Sequence, residues 1–158
     1  MVARTLSPLR YPGGKTQIAP FVNQLLQHND LLGGVYCEPF AGGCGIAWHL
    51  LLNEQVSKVA INDLSPAIYS FWHAVLEQTD ELCALISNTH VCIDEWHRQK
   101  DVLRSETIGL NLGFAAFFLN RVNRSGILKA GVIGGKDQAG NYKLDCRFKN
   151  DDLILKIQ

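Results

Sequence analysis

Two short β-prone runs, separated by a glycine-rich turn and a helix, constrain the fold of this chain more than any other feature. VYCEPF (35–40) is short and apolar, as a strand is, and KVAIND (58–63) is a second such run that ends in an acid. FAGGCG (40–45) lies between them, and IAWHLLLN (46–53) follows it with the composition of a helix. This order is a βαβ unit, so we predict an α/β fold with parallel strands.

The acid that ends the second run has the spacing of a ligand-binding residue. Asp63 follows Gly42 by 21 residues, a distance typical of a carboxylate that binds two ribose hydroxyls opposite a glycine turn. Glycines between a strand and a helix let a ligand approach the backbone and leave the helix N-terminus accessible. The pattern predicts a nucleoside-binding site. The alternative role for Asp63 is a helix cap ahead of Ser65 and Pro66.

GKT at 14–16 looks like the end of a phosphate-binding P-loop, but its spacing is wrong. A P-loop needs a glycine five positions before its second glycine, and Leu9 stands there. The residues over 1–8 are too few and too polar to supply the strand that precedes such a loop. The alternative is a surface turn ahead of a helix predicted over 18–29, since Pro-Gly-Gly is turn chemistry.

Length and composition indicate a folded protein. The 158 residues are 47% hydrophobic, which is typical of about one globular domain. No apolar run reaches the roughly 18 residues that span a bilayer, and the N-terminus lacks a secretory signal, so we expect a soluble cytoplasmic protein with no membrane contact. The five cysteines lack CxxC spacing, so we expect no metal site.

Charge is distributed unevenly along a chain of zero net charge. Residues 27–97 contain nine acidic residues and one basic residue, whereas residues 98–149 contain ten basic residues and four acidic ones. A basic region in a neutral chain indicates an anionic partner, and a solvated charged surface is the alternative.

The second half of the chain is predicted to be mainly helical. Apolar residues recur with helical spacing in TDELCALISN (79–88), IDEWHRQKDVLR (93–104) and LGFAAFFLNRVN (112–123). Five glycines over 125–148 predict irregular loops or a small hairpin. A last helix is predicted over 151–158, because two acids stand in what would be its first turn.

Four segments occur in the order, and with roughly the gaps, found in one enzyme family. They are RYPGGKTQ (10–17), YCEPFAGGCGIAWHLL (36–51), AINDLSPAIYSFWHAVL (60–76) and FFLNRVNRSGI (117–127). On these segments, and over nearly its whole length, the chain resembles the Dam-like DNA adenine-N6 methyltransferases of phages and bacteria. Those enzymes transfer a methyl group from S-adenosylmethionine to the exocyclic amine of adenine in double-stranded DNA.

The resemblance implies an incomplete Rossmann-like methyltransferase lobe with a mainly helical DNA-recognition insert. Residues 1–69 would form part of the α/β lobe that binds S-adenosylmethionine, and residues 70–150 would form the helical target-recognition lobe. Residues 151–158 would begin the return to the α/β lobe, where the chain is cut short.

The resemblance also implies site residues. The implied cofactor contacts are Tyr11, Gly14, Lys15, Glu38, Phe40, Gly42, Gly43 and Asp63. Tyr11 would pack on the cofactor, Lys15 would line the pocket for cofactor and target base, and Asp63 would bind the ribose. The implied DNA contacts are Asn120, Arg121, Asn123, Arg124, Ser125 and Lys129. Arginine suits guanine or phosphate and asparagine suits an adenine edge. Cys44 departs from the glycine or alanine that is frequent in the family.

No catalytic residue is assigned, because no Asp-Pro-Pro-Tyr string or similar motif occurs in the 158 residues. In the family this motif binds the adenine amine and stacks on the extruded base. We therefore expect the chain alone to be catalytically incomplete, with the missing C-terminal part or another copy as a partner. The alternative is a truncated, non-catalytic remnant that binds DNA or a protein. A generic nucleotide-binding domain would explain the glycine turn but not FFLNRVNRSGI.

Overall fold

The chain forms two compact units. The computed structural model describes residues 6–11, 14–105 and 107–158. Unit 1 comprises residues 1–8 and 13–63, and unit 2 comprises residues 9–12 and 64–158.

Unit 1 is a small α/β unit. Its elements are a 3-10 turn at Lys15–Ile18, helix α1 at Ala19–His28, strand β1 at Val35–Glu38, helix α2 at Gly45–Leu52 and strand β2 at Lys58–Ile61. The two strands pair in parallel, with Val35 opposite Lys58. The buried core of this unit is formed by Ala19, Ile46, Leu50 and Val56. The predicted strand–helix–strand order and the mixed α/β class are confirmed, while the Rossmann-like nature of the lobe stays a prediction.

The described residues of unit 2 are mainly helical. Its helices are α3 at Pro66–Glu77, α4 at Thr79–Asn88, α5 at Ile93–Ser105, α6 at Leu110–Val122 and α7 at Asn150–Ile154. Two 3-10 turns lie at Arg124–Gly126 and Leu144–Arg147. Helix α6 is buried from Leu112 to Val122 and packs against α3, α4 and α5, so it is the central helix of this unit.

A glycine allows α6 to approach α3 closely. A Cβ atom at Gly113 would lie 2.6 Å from the backbone oxygen of Ser70. Beside this contact Phe71 stacks on Phe117, with ring centroids 5.7 Å apart and planes 8° apart. Phe148 meets Phe117 edge-on at 5.7 Å. Phe114, Phe117 and Phe118 of α6 are all buried.

The last helix is shorter than the sequence predicts. Helix α7 starts at Asn150 and ends at Ile154. The predicted helix covers 151–158, so α7 begins one residue earlier and ends four residues earlier. These residues lie in unit 2, and α7 packs against α4. The return of this segment to the α/β lobe, which the resemblance implies, stays a prediction. The functional division into lobes stays a prediction. Within the described ranges, no helix has both the length and the apolarity needed to cross a membrane.

Candidate functional site

The glycine turn between β1 and α2 contains two residues with left-handed backbone. Gly42 has a φ of +48° and Cys44 a φ of +51°, a region that favours glycine. Cys44 is the N-cap residue of α2, and its side chain is fully buried. Burial raises the pKa of this thiol strongly, so it is neutral and contributes packing rather than charge.

Asp63 joins the glycine turn to the end of β2. The backbone N–H of Gly42 donates to Oδ2 of Asp63 at 2.8 Å. One residue earlier, the N–H of Ala41 donates to the carbonyl of Asn62 at 2.8 Å. Because both strands end here, these bonds hold the two carboxyl-terminal loops of the sheet together. The structure thus brings Gly42 and Asp63 into contact, as the nucleoside-site pattern requires.

Glu38 places a carboxylate at the first turn of α2. Its side chain is buried, and Oε2 accepts a hydrogen bond from the N–H of Ala47 at 3.3 Å. Burial raises the pKa of Glu38, while the Ala47 N–H and the positive charge of Lys15 act in the opposite direction. Glu38 therefore fills part of the helix N-terminus that the sequence pattern predicts to be accessible.

The GKT segment lies against this same turn. A Cβ atom at Gly45 would overlap Oγ1 of Thr16 and lie 3.3 Å from its Cβ, so glycine permits the approach. Lys15 begins the adjacent 3-10 turn, and its charge acts on Glu38. Both Gly14 and Lys15 are exposed. The structure thus brings this segment to the glycine turn.

The remaining cofactor candidates differ in placement. Phe40 is 69% exposed, and Gly43 is half-buried beside it in the turn. An exposed aromatic ring at such a turn offers a face to a planar ligand. Tyr11 is also exposed, but it belongs to unit 2. Seven of the eight cofactor candidates therefore lie in unit 1.

In unit 2, Asn120 binds the backbone beside Tyr11. Its Oδ1 accepts the N–H of Arg10 at 2.7 Å, and its Nδ2 donates to the carbonyls of Arg10 at 2.7 Å and Gly126 at 2.8 Å. Gly126 has a φ of +72°, and a Cβ atom there would overlap the Arg10 carbonyl. The Asn120 side chain is 1% exposed. Asn120 therefore fixes the N-terminal segment within unit 2.

The side chain of Asn123, like that of Asn120, forms hydrogen bonds inside unit 2. Its Oδ1 accepts the indole N–H of Trp96 at 2.7 Å, and its Nδ2 donates to the carbonyls of Ile127 at 3.1 Å and Leu128 at 2.9 Å. Its side chain is 0% exposed. Buried amides bonded in this manner do not present groups to a base edge, so we leave Asn120 and Asn123 out of the proposed DNA surface.

The arginines of this segment differ in exposure. Arg121 is 8% exposed. Burial lowers the pKa of Arg121 to about 10, and the charges of Arg10 and Arg147 act in the same direction. Arg124 is exposed, as are Ser125 and Lys129. Of the six DNA candidates, these last three have side chains at the surface.

A comparison with protein families decides the identification. Residues 11–106 match the family described as D12 class N6 adenine-specific DNA methyltransferase.

The chain belongs to this family.

One relative of this D12-class chain is the Type II methyltransferase M.MjaIII of Methanocaldococcus jannaschii, which is 29% identical over 97 residues. The aligned stretch covers 58% of this chain and 34% of that protein. The chain thus spans about a third of the length of this curated relative. The recognition of an adenine-N6 methyltransferase family from the sequence is confirmed.

The stretch that matches the D12 family contains some of the candidate site residues and not others. It begins at Tyr11 and ends at 106, so it includes all eight cofactor candidates. The DNA candidates start at Asn120 and lie beyond it. The matched stretch therefore contains every cofactor candidate and none of the DNA candidates. In the described parts of this D12-class chain, no three His, Cys, Asp or Glu side chains form a group that could hold a metal ion.

Sequence reasoning missed three features. It gave no structural role to Asn120, whose partner Arg10 lies 110 positions away. It did not anticipate that Gly45 makes room for Thr16. It also overlooked Lys100 and Arg104, which line a cavity with Lys129. The helical spacing of four between those two cations was a usable signal.

Proposed function

We propose that this chain is the N-terminal portion of a site-specific DNA adenine-N6 methyltransferase, with the S-adenosylmethionine site in unit 1 and duplex DNA bound by unit 2. The observation that carries the proposal is the 2.8 Å bond between the Gly42 N–H and Asp63. It lies inside the stretch that matches the D12 family, and it brings a glycine turn and a strand-terminal carboxylate to one place.

The side chains around the turn fit the chemistry of this cofactor. A carboxylate accepts several hydrogen bonds at once, so Asp63 can hold Gly42 and also bind ribose hydroxyls. The amino-acid end of the cofactor carries an ammonium and a carboxylate, and Glu38 and Lys15 supply the complementary charges. Phe40 offers an exposed ring to the adenine base. When bound, S-adenosylmethionine supplies an electrophilic methyl group.

Calorimetric titration with S-adenosylmethionine tests this site. Asp63→Asn keeps an acceptor for the Gly42 N–H but removes the charge that favours ribose hydroxyls, so we expect its affinity to fall about tenfold, or about 1.4 kcal/mol. Glu54→Gln removes one charge from an exposed position of the same unit and should leave affinity within about twofold of wild type. Equal affinity for both variants would count against the site.

The catalytic step is proposed to need residues that this chain lacks. The Asp-Pro-Pro-Tyr motif that would orient the adenine amine does not occur in the sequence, and amine orientation is what in-line transfer requires. We expect no methyl transfer from labelled donor to adenine-containing duplex DNA by this chain alone. Clear turnover would refute the proposed incompleteness.

A second candidate function is a non-catalytic remnant that binds DNA or a partner protein. The absence of the motif and the basic residues over 98–149 favour it. The two candidates differ in cofactor binding. Binding of both duplex DNA and S-adenosylmethionine supports the methyltransferase portion. Binding of duplex DNA with no heat of binding on titration with S-adenosylmethionine supports the remnant.

A further inference from the structure

A basic cavity lies on unit 2. Its volume is about 370 Å³, and it is lined by Lys100, Leu103, Arg104 and Lys129. Three of these four side chains are cations. The first three come from one face of α5, because residues three and four apart share a helix face. Lys129 comes from the loop after the 3-10 turn at Arg124–Gly126.

Hydrogen bonds of one buried side chain connect the two walls of this cavity. Asn123 accepts the indole N–H of Trp96 on α5 at 2.7 Å, and it donates to the carbonyl of Leu128, beside Lys129, at 2.9 Å. Asn123 is fully buried. The loop carrying Lys129 is therefore tied to the helix carrying Lys100 by a side chain that water does not reach.

The cations are held by different contacts. The ammonium of Lys100 lies 4.6 Å from the centroid of the Trp96 ring, a cation–π distance. Arg104 forms an exposed ion pair with Asp101, one turn of helix away. An exposed pair of this kind is worth less than about 1 kcal/mol, so Arg104 can exchange Asp101 for another anion. Lys129 is exposed.

We propose that this cavity binds a phosphodiester group of duplex DNA. The inference rests on the proposed function and deepens it by naming where the DNA backbone is held. Phosphate presents several acceptor oxygens, which suit one guanidinium and two ammonium groups, and Leu103 supplies an apolar surface for the adjoining sugar. Backbone contacts of this kind fix the position of a protein on DNA and carry no sequence information.

The DNA affinity of three proteins tests the proposal. Fluorescence anisotropy of a labelled duplex is measured between about 50 and 200 mM salt with wild type, with K100Q/R104Q/K129Q, and with a charge-matched control, K58Q/R98Q/K149Q. The control removes three exposed cations that do not line the cavity. Arg98 is a stringent control because it lies on α5 two residues from Lys100, on the opposite face.

The cavity variant is expected to lose at least about tenfold in affinity, equally for unrelated duplex sequences. The slope of log affinity against log salt should become about 1 less steep, since one phosphate contact contributes about 0.9. The control should keep the wild-type slope and lose less than about threefold. S-adenosylmethionine titration should give the same affinity for all three proteins, so failure of this site and failure of the cofactor site are distinguishable.

Several results would overturn the proposal. Equal losses in the two triple variants would assign the effect to total charge, and absence of duplex binding by wild type at 50 mM salt would exclude DNA as the occupant. Stronger competition by an acidic peptide than by unlabelled duplex would identify a protein partner instead. If circular dichroism shows that the triple variant does not fold, the single variants K100Q and K129Q are compared with R98Q. The slope of log affinity against log salt should become less steep for K100Q and K129Q and stay unchanged for R98Q.

Discussion

Cys44 holds a backbone conformation that its own side chain disfavours. Its φ of +51° lies in the left-handed region, which costs a non-glycine residue about 1 kcal/mol or more. We expect Cys44→Gly to be more stable than Cys44→Ala by about 1 kcal/mol, because both lose the sulfur and only glycine relieves the strain. Urea unfolding of the two variants measures the difference.

Cys83 provides a control of opposite sign. It is buried within helix α4, where alanine is favoured over glycine by about 1 kcal/mol. Cys83→Ala should therefore be more stable than Cys83→Gly. If the alanine variant were more stable than the glycine variant at both cysteines, backbone strain at Cys44 would not be significant.

Glu38 combines burial with a charge, which gives stability a predictable dependence on pH. Because burial raises its pKa in the folded state, the unfolded state releases its proton first as pH rises. Wild-type stability should therefore decrease from the ordinary carboxyl pKa up through the raised folded value. Glu38→Gln lacks this decrease, so its stability relative to wild type should improve with pH.

Thermal unfolding between pH 4 and pH 8 measures this trend. The exposed Glu54→Gln is the control and should track wild type throughout. A stability difference between Glu38→Gln and wild type that does not change with pH would contradict the prediction. If Glu38 binds the cofactor as proposed, the same substitution weakens S-adenosylmethionine binding even where it stabilises the fold.

At the scale of elements, the contact of α3 with α6 depends on Gly113. A Cβ atom would meet backbone atoms of Ser70 and Phe71 at 2.6 to 3.0 Å, and backbone cannot rotate away as a side chain can. We expect Gly113→Ala to destabilise by about 2 kcal/mol, although alanine favours a helix. Asn111→Ala, at an exposed position of α6, should be neutral or stabilising in the same denaturation experiment. Destabilisation by both substitutions would remove the argument from close packing.

The attachment of the N-terminal segment to α6 depends on Asn120. Asn120→Asp removes the donor to the carbonyls of Arg10 and Gly126 and brings a carboxylate against them. Leaving such buried acceptors unsatisfied should cost about 3 kcal/mol. The exposed Asn141→Asp introduces the same charge and should change the free energy of unfolding by less than about 0.5 kcal/mol. Similar unfolding midpoints for the two variants would contradict the role given to Asn120.

Across the whole molecule, the two units should differ in local stability. Unit 1 has two strands of four residues each, and a two-stranded sheet alone is marginal. Unit 2 buries almost all of α6. We expect backbone amides of α6 to exchange with solvent at least about a hundredfold more slowly than those of β1 and β2. Hydrogen exchange measures the rates of both groups of amides. Uniform exchange rates would contradict this prediction.

Saturating S-adenosylmethionine should reduce the difference in exchange rate between the two units, because binding protects the amides of unit 1.

Local patterns were sufficient to predict most elements. Helices α1, α2, α4, α5 and α6 and both strands lie within a few residues of their predicted bounds, because apolar periodicity and the glycine turn act over short distances along the chain. The 3-10 turn at Lys15–Ile18 and the early end of α7 were not predicted, since such short pieces carry little periodicity. The proximity of Gly42 and Asp63 followed from the order of the strands and the 21-residue spacing between the two residues.

The roles of polar residues in the NRVNRSG segment (120–126) could not be read in the same way. An asparagine beside an arginine suits a base edge and a buried backbone carbonyl equally well. Burial distinguishes the two, and burial depends on partners such as Arg10 and Trp96 that are distant in sequence. The surface positions Arg124, Ser125 and Lys129 remain predictions for DNA contact.

The sequence by itself determined the order of the elements, the glycine turn with its acid, and the resemblance to the adenine-N6 DNA methyltransferases. Only the tertiary structure decided that Asn120 and Asn123 are internal, and that Lys100, Arg104 and Lys129 line one cavity. The physical reason is range. Backbone geometry and apolar periodicity are local properties of a chain, whereas hydrogen-bond satisfaction and the convergence of charges are set by packing between segments far apart in sequence.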